Sequence, residues 1–223
     1  MLKRTMYKIN GACVTAGFMV LGPIQNNVYF ITDGAATFVV DPTCDPDALV
    51  EALGGVKLDA IVITHRHYDH IGAAARLAQR TGATVIASEI DAPYIAGELP
   101  DPDGHPGSDP CPVDQRVSDG DVVQLGGMAW RVISTPGHTP GSMCLFLDPR
   151  FGSDAAGAPL LISGDTLFCG SIGRTDFAGG SMDDMRHSLK KLATLPDNTI
   201  VLPGHNDLTT IAAERERTFA YYA

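Results

Sequence analysis

The segment Thr64–His70, with the sequence THRHYDH, is the feature that most constrains what this chain of 223 residues can fold into. It overlaps the end of the β-branched run Ala60–Thr64, AIVIT, which predicts a strand buried on both faces. His65 and His67 stand at positions i and i+2 of the extended backbone that follows, so their rings can point to the same side. Such clustered imidazoles at the end of a buried strand predict a metal site.

Three more candidate ligands each follow a glycine at the end of a predicted strand, in the pairs Gly137-His138, Gly164-Asp165 and Gly204-His205. Glycine lets the backbone turn sharply there without a Cβ clash. The candidate metal ligands are His65, His67, Asp69, His70, His138, Asp165 and His205. Seven nitrogen and oxygen ligands exceed a closed four-ligand site and suit two metals about 3.5–4 Å apart. We expect two zinc ions, with iron or manganese as alternatives.

Apolar periodicity and turn residues predict the remaining elements. Strands are predicted over Asn27–Thr32, Ala36–Asp41, Thr84–Ala87, Asp121–Leu125, Ala129–Ser134, Met143–Leu147, Leu160–Ile162 and Thr199–Leu202, and the start of the chain, Met1–Leu21, is also interpreted as strand. Helices are predicted over Asp45–Leu53, His70–Arg80, Ser181–Leu195 and Thr209–Ala220. Two successive halves, each of strands followed by helices, predict two sheets packed face to face with helices outside, in a single domain over residues 1–223.

The segment Gly97–Arg116 carries five prolines and three glycines and is predicted to be a long loop. A loop of this length in a compact domain is usually functional or mobile. His105 within it is expected at the surface, as is His187 in the helix predicted for Ser181–Leu195.

Net charge, apolar runs and cysteine spacing indicate which kinds of binding partner and which cellular compartment to expect. The formal net charge of −10 argues against nucleic acid, because phosphate neutralisation needs clustered Lys and Arg. No apolar run reaches the roughly 18 residues that span a bilayer, so no membrane partner is expected. The five cysteines are widely spread without a C-x-x-C pair, which predicts reduced thiols in a cytoplasmic protein. A small-molecule substrate is expected, and a homo-oligomer is left open.

The order of the H-x-H-x-D-H segment, His138, Asp165 and His205 resembles the metallo-β-lactamase superfamily. The segments TPGHTPGS (Thr135–Ser142), SGDTLF (Ser163–Phe168) and GSIGRTDF (Gly170–Phe177) are similar to its glyoxalase II-like (hydroxyacylglutathione hydrolase-like) and persulfide-dioxygenase-like branch. The resemblance implies an αββα sandwich, α/β in class, with two mixed β-sheets. It also implies a first metal on His65, His67 and His138, a second on Asp69, His70 and His205, and Asp165 as the bridge.

Glyoxalase II-like members hydrolyse thioesters such as S-lactoylglutathione to a thiol and an acid. A dication lowers the pKa of bound water from 15.7 to roughly 7, so a hydroxide bridging the metals can attack the thioester carbonyl. Asp69 is the expected catalytic carboxylate, which orients this hydroxide and accepts its proton. Arg174 is the one basic residue retained from the glutathione-binding pattern and is expected to bind an anionic thioester. Asp176, Asn206 and Asp207 depart from that pattern.

Three alternatives remain open at this point. A persulfide dioxygenase would use one ferrous ion on His65, His138 and Asp165, a two-histidine, one-carboxylate set. Lactonase and β-lactamase activity are other hydrolytic options for the same scaffold. A non-catalytic metal-binding module is disfavoured, because the predicted site keeps open positions.

Overall fold

The computed structural model describes residues 5–105, 108–149 and 157–223. Its first sheet has seven strands in sequential order: β1 (Tyr7–Ile9), β2 (Thr15–Leu21), β3 (Asn26–Thr32), β4 (Thr37–Val40), β5 (Ala60–Ile63), β6 (Thr84–Ser88) and β7 (Gln115–Val117). Strands β1 to β4 are antiparallel, whereas β4 to β7 are parallel. The first sheet is therefore mixed, as predicted. Residues 1–4 of the predicted first strand segment lie outside the described residues.

The second sheet contains β8 (Val122–Leu125), β9 (Met128–Ser134), β10 (Met143–Leu147), β11 (Leu160–Gly164), β14 (Ile200–Pro203) and β15 (Thr209–Thr210). Their spatial order is β15-β14-β11-β10-β9-β8. Only the β11–β14 pair is parallel within this sheet, so it is mixed as well. A short hairpin of β12 (Leu167–Phe168) and β13 (Ser171–Ile172) stands apart from both sheets.

The helices are α1 (Pro46–Leu53), α2 (Tyr68–Ile71), α3 (Ala74–Thr81), α4 (Ala92–Ile95), α5 (Met182–Leu192), α6 (Ile211–Glu214) and α7 (Ala220–Tyr222), with a π-helical turn at Arg215–Phe219 between the last two. Several begin with the capping that their sequences predict. The carboxylate of Asp45 accepts a hydrogen bond from the N–H of Ala48 at the start of α1, and the hydroxyl of Ser181 accepts one from Asp184 at the start of α5.

Three apolar clusters define the layers. The central cluster joins the inner faces of the two sheets, where the ring of Phe38 meets that of Trp130 edge-on at 5.4 Å. A second cluster packs the outer face of the first sheet against α1, α3 and α4, and a third packs the second sheet against α5 and α6. Val62 faces the central cluster and Ile61 the outer one, as the period of two along a strand requires. The resulting order of helices, sheet, sheet and helices confirms the predicted αββα sandwich.

The predicted helix His70–Arg80 is wrong as a single element, because α2 ends at Ile71 and α3 begins at Ala74. The N–H of Ala73 donates to the carbonyl of Pro42 at 2.8 Å instead of continuing the helix. A Cβ on Gly72 would collide with the carbonyl oxygen of Thr43. The close approach of the segment after β4 therefore divides the helix and holds its first turn beside the end of that strand.

The predicted helix Thr209–Ala220 also needs correction at its start. Thr209 and Thr210 pair with β14 as a short edge strand, and the hydroxyl of Thr210 then accepts a hydrogen bond from Ala213 at the start of α6. The helix predicted for Ser181–Leu195 ends at Leu192. The loop predicted for Gly97–Arg116 is confirmed over its described residues, except that its end joins β7.

Candidate metal centre

All seven predicted ligands lie at one edge of the sandwich, where strands of both sheets end. His65 follows β5, Asp165 follows β11 and His205 follows β14, while His138 lies four residues beyond the end of β9. The ligands form three overlapping sets in which every ligand atom lies within 4.8 Å of the others: His65, His67 and His138; His65, His70 and Asp165; and Asp69, His70 and His205. The structure thus brings together every ligand candidate that the sequence singled out.

The first set consists of three buried imidazoles. Nδ1 of His67 lies 2.8 Å from Nε2 of His138. The ring of His65 lies 4.8 Å from each of the other two rings, measured between centroids. Nε2 of His65 is buried and has no hydrogen-bond partner among the described residues. Three ring nitrogens therefore converge on one point, and one of them is left unsatisfied.

The third set joins Asp69 to two imidazoles. Its Oδ2 lies 3.3 Å from Nε2 of His70 and 3.4 Å from Nε2 of His205. Asp165 lies between the first and third sets, since its Oδ1 is 3.4 Å from Nε2 of His70 and its Oδ2 is 3.5 Å from Nε2 of both His138 and His205.

The separations around Asp69 and Asp165 fit divalent metals, whereas the 2.8 Å between Nδ1 of His67 and Nε2 of His138 is shorter than a tetrahedral site gives. A tetrahedral site with metal–ligand distances of about 2.0–2.2 Å places its ligand atoms about 3.3–3.6 Å apart. The distances in the third set and around Asp165 fall in this range. Oδ1 of Asp165 is buried and, like Nε2 of His65, lacks a hydrogen-bond partner in the described part of the chain. Imidazole and carboxylate donors with free lone pairs are the ligands that zinc and iron take.

Three of the rings are oriented by partners behind them. Nδ1 of His70 donates to Oδ2 of Asp41 at 2.9 Å, Nδ1 of His138 to the carbonyl of Arg174 at 2.7 Å, and Nδ1 of His205 to the carbonyl of Ile24 at 3.1 Å. Each ring therefore presents Nε2 to the centre. Sequence reasoning placed Asp41 at a strand end but missed its contact with His70.

Asn26 is a second residue that sequence reasoning missed. Its side chain is fully buried, and its Nδ2 donates to Oδ2 of Asp69 at 2.8 Å. The same atom lies 3.4 Å from Nε2 of both His70 and His205. Asn26 therefore holds the carboxylate of Asp69 toward the two rings.

The site's electrostatics favour the protonation states that a metal needs. Burial, reinforced by the neighbouring rings, lowers the pKa of His65 well below its usual value, and burial and His138 lower the pKa of His67 to about 4. Burial opposes ionisation of Asp69, but the charge of His70 and hydrogen bonds from His205, His70 and Asn26 hold its pKa well below the usual range. Neutral imidazoles and charged carboxylates are the forms that bind metal.

His205 and His70 are the exceptions. Burial lowers the pKa of His205, but its hydrogen bond to Asp69 and the charge of Asp165 outweigh burial and raise that pKa. The rise is larger at His70. Burial lowers its pKa, but the charges of Asp165, Asp69 and Asp41 outweigh burial and raise the pKa well above its usual value. A proton on this ring offsets part of the carboxylate charge, and binding of a metal through Nε2 releases it.

Arg174 lies at the mouth of the site, but its side chain is engaged. The guanidinium donates to Asp176 through two bonds of 2.9 and 2.8 Å, and its Cζ lies 4.3 Å from the centroid of the Phe177 ring. Phe177 in turn packs edge-on against His67 and His138. Arg174 therefore contributes its backbone carbonyl to His138 while its charge is largely offset by Asp176.

The two remaining histidines lie outside the three sets formed by the predicted ligands. His105 belongs to a separate, more exposed group with Asp101 and Asp103, whose ligand atoms also lie within 4.8 Å of one another. His187 is exposed on α5, as predicted. His105 is partly buried rather than fully exposed, because its ring packs on that of Tyr68 at 4.8 Å between centroids. No disulfide joins any of the five cysteines, all of which lie in the described ranges. No helix in those ranges is long and apolar enough to cross a bilayer.

Comparison with known families agrees with this geometry. Residues 21–205 match the model of the metallo-beta-lactamase superfamily. The chain belongs to the metallo-β-lactamase superfamily. Among its relatives, the probable metallo-hydrolase YqgX of Bacillus subtilis is 31% identical over 205 residues, covering 89% of this chain and 93% of the relative. Hydroxyacylglutathione hydrolase GloC of Haemophilus influenzae is 30% identical over 198 residues, covering 86% and 90%.

Solved structures of this superfamily superpose over most of the chain. The BLEG-1 B3 metallo-β-lactamase has a TM-score of 0.78 at 31% identity, covering 92% of this chain and 98% of that one. TTHA1623 in a di-iron-bound form has a TM-score of 0.72 at 33% identity, covering 89% and 96%. ETHE1 from Myxococcus xanthus has a TM-score of 0.70 at 28% identity, covering 96% and 82%. The relatives and ETHE1 support the glyoxalase II-like branch of the superfamily.

Proposed function

We propose that this chain is a dinuclear metal-dependent hydrolase of thioesters. The observation that carries the proposal is the spacing of the seven ligand candidates, with Asp165 set between two groups of three. His65, His67 and His138 would hold the first ion, Asp69, His70 and His205 the second, and Asp165 both. Such ions lower the pKa of a bound water toward 7 and polarise a carbonyl oxygen.

Asp69 is the residue proposed to handle the proton of the attacking water. Its carboxylate is charged, half-buried and held in place by the amide of Asn26 at 2.8 Å. A carboxylate in this position can orient a water toward the substrate carbonyl and accept its proton. A thiolate leaving group has a conjugate acid with a pKa near 8.5, so its departure needs little help from a general acid.

The proposed substrate is an anionic thioester. The support comes from relatives named hydroxyacylglutathione hydrolase and from the site mouth, where Arg174 stacks on Phe177 beside His138. Because Asp176 pairs with Arg174, we propose weak rather than tight capture of glutathione thioesters.

A mononuclear iron site on His65, His138 and Asp165 is the alternative that the sequence left open. It would leave Asp69 and His205 without a metal, although their ligand atoms have the spacing of a tetrahedral site. The spacing therefore favours the dinuclear proposal, and elemental analysis separates the two.

The proposal is tested by the release of free thiol from S-lactoylglutathione by the zinc-loaded chain. We expect turnover in the wild type and in His187→Ala, a control on exposed α5, and at least a hundredfold loss in Asp165→Ala. Far-UV circular dichroism should show that the Asp165 variant remains folded, because its side chain lies beyond the end of a paired strand. Absence of turnover on this and on smaller thioesters, with two metals bound, would contradict the proposal.

A further inference from the structure

We infer that Asp103 is a positioning residue that couples the loop of residues 97–105 to the metal ligand His67. The inference rests on the proposed first metal site of His65, His67 and His138. It assigns a function to a loop that the hydrolytic proposal leaves unused.

The orientation of the His67 ring is the first observation. Its Nδ1 faces Nε2 of His138 at 2.8 Å, so the metal-binding lone pair of this ring is on Nδ1. Its opposite nitrogen, Nε2, faces Oδ2 of Asp103 at 3.5 Å, and both side chains are 6% exposed. This nitrogen is buried and has no hydrogen-bond partner among the described residues, so Asp103 is the carboxylate placed to receive its proton by a small shift. A ring that ligates through Nδ1 carries its proton on Nε2. A carboxylate facing that proton fixes the tautomer and raises the basicity of the ligating nitrogen.

The carboxylate of Asp103 is itself held by two other segments. Its Oδ1 accepts a hydrogen bond from the N–H of Ala178 at 2.7 Å, and its Oδ2 accepts one from Nη2 of Arg66 at 3.2 Å. The same Nη2 donates to the carbonyl of Ala178 at 2.8 Å. Asp103, Arg66 and Ala178 are therefore each joined to the other two by hydrogen bonds. These bonds connect the segment Thr64–His70 to the loop that carries Arg174.

The position of Arg66 is fixed from its other side as well. Its backbone N–H donates to Oδ2 of Asp91 at 3.0 Å, and its guanidinium lies 3.5 Å from Oδ1 of that residue. Arg66 thus stands between two buried carboxylates next to a metal ligand. Removal of the Asp103 charge would leave Asp91 as the remaining carboxylate in contact with Arg66. The positive electrostatic potential at the His67 ring would therefore rise.

The backbone turn that presents Asp103 is built within the loop. Oδ1 of Asp101 accepts a hydrogen bond from the N–H of Asp103 at 3.0 Å, and its Oδ2 accepts one from the N–H of His105 at 3.2 Å. This turn holds Asp103 where its carboxylate faces His67. By linkage, a metal on His67 must then stabilise the loop to the same extent as the loop stabilises the metal.

The test compares wild type, Asp103→Asn and the control Asp109→Asn in the full chain. Asp109 belongs to the same long loop but pairs with Arg76 at the surface, away from the ligands. Zinc affinity is measured by competition with a chromophoric chelator. We expect Asp103→Asn to weaken one of the two zinc-binding steps by about 10–100-fold, and Asp109→Asn to leave both unchanged.

Limited proteolysis gives a second readout, which follows the loop itself rather than the zinc affinity. Zinc is expected to slow cleavage within residues 97–105, and this protection is expected to disappear in Asp103→Asn. The inference is overturned if the zinc affinity of Asp103→Asn is unchanged, or if zinc does not alter the cleavage rate of the wild type. Either result leaves the proposed hydrolase intact. A wild type that binds no zinc overturns both.

Discussion

The carboxylate of Asp41 lies 2.9 Å from Nδ1 of His70, on the side of the ring opposite to Asp69. Asp41 also accepts hydrogen bonds from the N–H of Thr64 at 2.8 Å and from its hydroxyl at 2.7 Å. It therefore joins the end of β4 to the start of the ligand segment after β5. The backbone of Asp41 is left-handed, with φ of 49°, a conformation that Asp and Asn tolerate better than most residues.

Replacement of Asp41 by Asn should weaken metal binding without unfolding the chain. Asn accepts the left-handed backbone and can still accept from Thr64, but it lacks the charge that stabilises the proton on Nδ1 of His70. We expect the weaker of two zinc affinities to fall by about 10–100-fold, measured by chelator competition. Equal zinc affinity in the variant and the wild type would show that the contact is only structural.

Gly204→Ala should disrupt the metal centre by steric collision. A Cβ at this position would collide with Oδ1 of Asp165 and lie 2.7 Å from Cε1 of His70. The expected result is loss of metal from the second site, measured by elemental analysis. Gly34→Ala is the control, because its Cβ meets open space and it bears only the strain of a φ of +87°, about 1–2 kcal/mol. Full metal content in Gly204→Ala would contradict the placement of Asp165.

Cys111 and Cys144 should resist alkylation in the native chain. Burial raises the pKa of each thiol to about 11, so at pH 8 only about one thiol in a thousand is ionised. Both side chains are also fully buried. Iodoacetamide labelling followed by peptide mass spectrometry should find them unmodified until denaturant is added, with the metal content unchanged. Rapid native labelling of Cys144 would show that the sandwich opens locally at β10.

Asp176→Asn should improve capture of anionic thioesters. The substitution removes the charge that offsets Arg174, whose guanidinium lies at the mouth of the site. We expect KM for S-lactoylglutathione to fall severalfold while kcat is little changed, since the interaction is made equally in the ground state and the transition state. Arg174→Ala should raise KM for anionic thioesters more than for neutral ones. An unchanged KM in both variants would remove Arg174 from the binding site.

The ligands themselves could be predicted from the sequence because each follows a recognisable strand and carries chemistry of its own. The run Ala60–Thr64 marks the strand before His65, and glycines mark the turns before His138 and His205. The apolar runs likewise predicted most strands of both sheets. A strand buried on one face has alternating apolar residues, and a strand buried on both faces has a continuous apolar run.

Contacts between distant segments could not be predicted in this way. Asp41 meets His70 across 29 residues and Asn26 meets Asp69 across 43, and neither spacing leaves a local pattern. The break between α2 and α3 has the same origin, since it depends on the backbone of Thr43 beside Gly72. An Asp or Asn near a turn is common for local reasons, so its function at a site appears only when the fold is known.

The metal content of the chain, purified without added metal, tests the central claim most directly. Two groups of three ligand atoms with Asp165 between them predict two divalent ions per chain, with zinc expected. Elemental analysis against a quantified protein concentration should therefore give a ratio near two, falling to one or below in Asp165→Ala. A single iron per chain that excess zinc does not supplement, with oxygen consumed when glutathione persulfide is supplied, would contradict the dinuclear hydrolase.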